Sequence, residues 1–155
     1  MIIEALIAVT FVAAFAVMLA PDEVAGRLAA ALSLLPVIGS LYMWSRFDAT
    51  GNALMGGDIA FETMTPWLEL GGYTLNWHVG VDGIALPLVV LTTILSTLAI
   101  VSAWTPIDDR QSQFYGLMLF MEANLLGVFT ALDFFVWFVF WEAVLLPMYF
   151  LIGVW

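Results

Sequence analysis

The chain has 155 residues, of which 64% are hydrophobic and only 10% charged, with a mean hydropathy of +1.06; soluble domains carry about a quarter of charged residues, so an ordinary soluble domain is excluded. Thirteen acids against three arginines and no lysine give a net charge of −10, which fits an acidic surface adapted to high salt, as in halophiles, where self-repulsion is screened. The absence of cysteine excludes disulfides, iron–sulfur clusters and thiolate metal sites, and one histidine, His78, cannot supply a pair of haem ligands or a metal cluster.

The apolar residues come in long blocks rather than in short periods, the pattern of a polytopic membrane protein. The expected architecture is an all-α integral membrane fold in a single domain over 1–155, with spans at 2–20, 28–44, 84–104, 114–132 and 134–154. Each block is long enough to cross, since about 20 apolar residues span the hydrocarbon core. The first ends at Pro21-Asp22, and an acid within MIIEAL disfavours a cleaved signal peptide. Arg27 and Arg110 fall in loops on one side and Arg46 on the other. The positive-inside rule then places the N-terminus outside the cell.

Between the second and third spans lies a loop, 45–83, that is not featureless. In YTLNWHVGVD, Tyr73, Leu75, Trp77, Val79 and Val81 alternate with Thr74, Asn76, His78, Gly80 and Asp82. Strict alternation predicts a half-buried strand. The run 59–65 is expected to pair with it across a turn near Gly71-Gly72, giving a small extracytoplasmic β-hairpin with His78 on its polar face.

The fifth block contains FVFWEAVLLPMYF, whose one charged residue is Glu142. Glu142 lies about 13 Å into the span at 1.5 Å per residue. A charge at that depth costs at least about 2.5–3.5 kcal/mol, and such residues mark ion pathways and proton relays more often than packing. The fourth block contains Glu122. Asp133 marks the turn between the two blocks and suits the N-cap of the fifth. Glu122 lies eleven residues before that turn and Glu142 nine after it, so an antiparallel pair places both at similar depth, within about 3 Å. Sequence fixes their depth and leaves open whether they face one another. Pro147 lacks an N–H and so frees the carbonyl of Ala143, beside Glu142, for a neighbouring helix or water.

GVDGIALPLVVLTTIL and ALDFFVWFVFWEAVLLPMYFLIGVW resemble the antiporter-like membrane subunits of NADH-quinone oxidoreductase, respiratory complex I. The second stretch is most similar to chain M, and the group is related to Mrp-type Na⁺/H⁺ antiporter subunits. The resemblance implies a non-redox, proton-translocating subunit of the membrane arm, driven by quinone reduction elsewhere in the complex. It implies that Glu142 is the relay glutamate of the fifth helix, with a lysine partner on a later helix, and that Glu122 is a second relay acid. It further implies a multi-pass location in the plasma membrane, partners among the other membrane-arm subunits and the lipid bilayer, no catalytic residue, metal or cofactor on this chain, and no nucleic acid. Relatives carry more helices, so the sequence is expected to be a fragment or one half of a split subunit. An Mrp-type cation/proton antiporter subunit and a non-transporting structural subunit are the alternatives.

Overall fold

The computed structural model describes residues 1–47, 59–70 and 73–155. Five helices and one hairpin follow in the order α1 (Ile2–Met18), α2 (Asp22–Arg46), β1 (Ala60–Leu70), β2 (Tyr73–Val81), α3 (Ala85–Ser102), α4 (Gln111–Thr130) and α5 (Phe134–Val154). Three of the helices, α2, α3 and α5, are long and apolar enough to cross a membrane; α1 is apolar and 17 residues long. The helix expected from 28 begins at Asp22. Pro21 is extended at its N-cap, and Asp22 and Glu23 in the first turn suit the positive helix end.

The ends of the other helices show how sequence punctuates them. The Asp82 carboxylate accepts from the backbone N–H groups of Ile84 and Ala85 at 2.9 and 2.6 Å, which starts α3. Asp133 accepts from Phe135 and Val136 at 2.8 and 3.3 Å and is the N-cap of α5, as expected. The start of α4 has no cap of its own: Arg110 stands there with φ 49° and no side-chain hydrogen bond. Instead Asp22, from the head of α2, accepts from the Ser112 N–H at 2.8 Å. A residue ninety positions away thus satisfies one orphan donor of α4.

Helix α4 packs against the other four helices, whereas α5 packs on α4 and β2 at the edge of the bundle. Two cores result. At the hairpin end, Ile3, Leu6, Leu86, Leu126 and Phe140 close around Val79 and Val81. At the other end, small residues dominate, with Ala13, Ala14, Ala25 and Ala29 packed around Tyr115 and Leu119. Small side chains let apolar helices approach closely where lipid supplies no hydrophobic drive for association. Between α2 and α3 the contact is polar: the Ser40 and Thr93 hydroxyls meet at 2.9 Å, and Thr97 donates to the Ser33 carbonyl at 3.2 Å.

Gly127 marks a close approach between α4 and α5. A Cβ there would overlap the Phe140 ring at atoms that include its root, Cγ, which turning the ring about χ2 does not move. Gly127→Ala is therefore expected to lower stability by about 1–3 kcal/mol, the usual range for overpacking. Thermal unfolding in detergent measures this, and an unchanged midpoint contradicts it.

The hairpin is antiparallel, with Thr65 opposite Trp77 and Glu69 opposite Thr74. Its first strand is longer than the expected 59–65, and the anticipated turn at Gly71-Gly72 lies outside the described residues. Register shifts fall between Ala60 and Thr63 and between Pro66 and Leu68. At the first shift Phe61 takes a left-handed φ of 57° and packs against the hairpin-end core. An aromatic residue pays roughly 1–2 kcal/mol for that conformation, and burial of its ring offsets it. The hairpin rests on the α4–α5 turn: the Leu132 N–H donates to the His78 carbonyl at 2.9 Å, and Val79 bridges Ala131. Trp77 meets Phe140 edge-on at 5.9 Å, fastening the strand to α5 as well.

Candidate functional site

The two acids lie on consecutive antiparallel helices, twelfth of twenty residues in α4 and ninth of twenty-one in α5. Their depths match, but their surroundings do not. Glu122 is completely buried, on the stripe of α4 that also carries Tyr115, Leu119 and Leu126. Both of its carboxyl oxygens lack a hydrogen-bond partner, the one such side chain among the described residues. An unsatisfied buried polar group costs about 1–3 kcal/mol, so this position does not serve stability.

Glu142 is exposed. The buried residues of α5 are Val136, Phe140 and Pro147, which form the face turned to α4. Glu142 is two residues from Phe140 and five from Pro147, which puts it roughly 200° and 140° away round the helix. Phe138, Val139, Leu145 and Leu146, its neighbours at three and four residues, are exposed too. A single carboxyl therefore emerges halfway along an apolar outer face. Glu122 points into the bundle and Glu142 out of it, so this arrangement does not bring the acids together.

Pro147 does not break α5, which continues to Val154. The proline is buried against the bundle, and the residue whose carbonyl it frees, Ala143, is half-buried. Asp133 is committed to its cap and lies at the helix end, away from both acids in depth. Asn124, beside Glu122 in sequence, donates one turn back to the Phe120 carbonyl at 2.7 Å.

His78, expected on an open polar face, is half-buried, and its Nε2 lies 2.7 Å from Glu62 Oε1. Alternation indicated the face but not the partner, because the bulge at Phe61 shifts Glu62 relative to the simple register. The trans-cap from Asp22 to α4 carried no local signal either, since only tertiary packing sets a distance of that kind. Among the described residues, no group of three or more histidine, aspartate or glutamate side chains gathers where a metal ion would bind.

No protein-family model matches the chain. It is 35% identical over 125 residues to F(420)H(2) dehydrogenase subunit M of Methanosarcina mazei, covering 80% of this chain and 24% of that protein. It is 34% identical over 162 residues to NADH-quinone oxidoreductase subunit M of Pseudomonas aeruginosa, covering 100% of this chain and 31% of that protein. Over 90 residues it is 40% identical to NADH-quinone oxidoreductase subunit M of Escherichia coli, covering 58% of this chain and 17% of that one. The chain thus spans less than a third of the length of each of these relatives. Among solved structures, a chain of the membrane-bound sulfane sulfur reductase, an archaeal respiratory membrane complex, shares the fold: TM-score 0.71 at 17% identity, over 97% of this chain and 22% of that chain.

Proposed function

This chain is a multi-pass membrane homologue of subunit M of the NADH-quinone oxidoreductases, and from that premise we propose that it forms part of a proton-translocating, non-redox subunit of a complex I-like membrane arm. In this reading quinone reduction elsewhere in the assembly drives proton movement through the membrane arm. Glu142 is the gated proton site, and Glu122 is a second carboxyl inside the bundle that holds or passes a proton.

The observation that carries the proposal is Glu142 itself, a carboxyl midway along an apolar helix on the face that the bundle leaves uncovered. Such a position is costly, makes no packing contribution, and is chemically apt for proton exchange with a cationic partner on another helix. The resemblance in sequence supplies that partner as a lysine, and this sequence contains none.

All five helices are taken as spans in this proposal, with the chain in the plasma membrane. The N-terminus and hairpin lie outside the cell. Support comes from the arrangement of the ends: the Met1 amine donates to Thr63 of the hairpin at 2.8 Å, while Arg27 and Arg110 fall at the opposite end. The partners are other membrane-arm subunits and the lipid bilayer, and no cofactor is assigned to this chain.

Membrane vesicles containing the assembled complex test the reading against its alternatives. Proton uptake is expected to follow the supply of reductant and quinone and to persist without a Na⁺ gradient. Uptake driven only by an imposed Na⁺ gradient points to an Mrp-type antiporter subunit and overturns the proposal. Redox-driven uptake that survives removal of this chain would show a purely structural subunit, with the same consequence.

A further inference from the structure

A cleft unrelated to either acid lies at the end of the bundle that carries Arg110. It has a volume of about 460 Å³ and is lined by Met18 from the end of α1, Gln113 and Leu117 from α4, Phe150 from α5, and Arg110 and Trp155, which flank the start of α4 and the end of α5. Its two ends differ in chemistry. Arg110 and Gln113 mark the end near the start of α4; Leu117 lies one turn, or about 6 Å, further along the helix, where Met18 and Phe150 also contribute apolar surface.

The wall is held in place. Trp155 Nε1 donates to the Asp109 carbonyl at 2.9 Å, and its ring meets Phe114 edge-on at 5.5 Å. Arg110 is one of three cations in a chain of net charge −10. Its nearest carboxylate, Asp109, stands at 3.9 Å with 86% of its side chain exposed, against 59% for Arg110. A charge-assisted hydrogen bond is about 2.7–2.9 Å long, so the guanidinium keeps its donors available.

A planar cation, an amide donor and an apolar trough in line suit one class of ligand. We propose that this cleft binds a phospholipid with a net negative phosphate headgroup, the phosphate on Arg110 and Gln113 and an acyl chain along Leu117 and Phe150. The guanidinium fork matches phosphate oxygens, and the apolar length of the trough would be wasted on a free anion. Basic residues at the bilayer surface favour anionic lipids over zwitterionic ones. The proposal stands independently of the transport reading.

Native mass spectrometry of the assembled complex in detergent, read on the subunit that carries this chain, tests it, with dioleoyl phosphatidylglycerol, dioleoyl phosphatidylcholine and inorganic phosphate as probes. Phosphatidylglycerol is expected to bind about tenfold more tightly than phosphatidylcholine, whose choline cation offsets the phosphate charge that Arg110 would meet. Arg110→Gln should erase that preference, while Arg46→Gln, at the opposite end and stacked over Tyr42 at 5.5 Å, should keep it. Leu117→Trp fills the apolar part without touching the charge and should exclude both lipids, so the idea stays testable if Arg110→Gln folds poorly. Equal retention of the two lipids, a preference that survives Arg110→Gln, or displacement of lipid by inorganic phosphate overturns it.

Discussion

Glu142→Gln is expected to abolish redox-driven proton uptake by the assembled complex while leaving its assembly intact. Glutamine keeps the size and shape of the side chain but cannot exchange a proton. Because Glu142 lies opposite the face formed by Val136, Phe140 and Pro147, the substitution removes no packing contact with α4. Stability should therefore move by no more than about 0.5 kcal/mol, as for surface positions generally. Uptake should fall by about two orders of magnitude or more, the scale that a positioned proton-transfer group contributes. Dye-quench measurements on vesicles report uptake, and native gels report assembly. Glu142→Asp should retain part of the uptake, and Leu146→Ala, on the same outer face, should retain nearly all of it. Unchanged uptake in Glu142→Gln would remove the residue from the proton path.

Glu122→Met should do the opposite to stability and the same to function. The buried carboxyl makes no hydrogen bond, so a methionine of similar length removes an unsatisfied polar group and fills the same space. The fold should gain about 1–3 kcal/mol, which is roughly 2–4 °C per kcal/mol in the unfolding midpoint for a chain of this size. Glu122→Gln separates the two effects. Its amide remains buried and polar, so no gain in midpoint is expected, yet proton uptake should fall as in the methionine variant. A midpoint lowered by Glu122→Met would mean that the carboxyl supports the fold. Retained uptake in both variants would confine the relay to Glu142. The trade of stability for activity is the signature of a residue kept for function.

Much of this follows from local chemistry. The cap of α5 at Asp133 and the start of α3 beside Asp82 both stand where short polar residues interrupt apolar blocks. An apolar block long enough to span has one available conformation, the helix, because its backbone groups must be satisfied within the segment. Alternation in β2 likewise gave the strand, since a half-buried ribbon has a period of two. The matched depth of Glu122 and Glu142 needed only helix rise and a turn.

Facing, partners and shape came from elsewhere. Both acids sit in apolar helices with no dominant polar side, so nothing along the chain says which way either points. The packing of α4 at the centre and α5 at the edge buries one and exposes the other. The same holds for Asp22 on Ser112, for Glu62 on His78, and for the cleft beside Arg110. Depth along a helix is a property of a single segment, and the sequence determined it. Orientation around a helix is decided by the neighbours that close upon it, and only the tertiary structure holds that information.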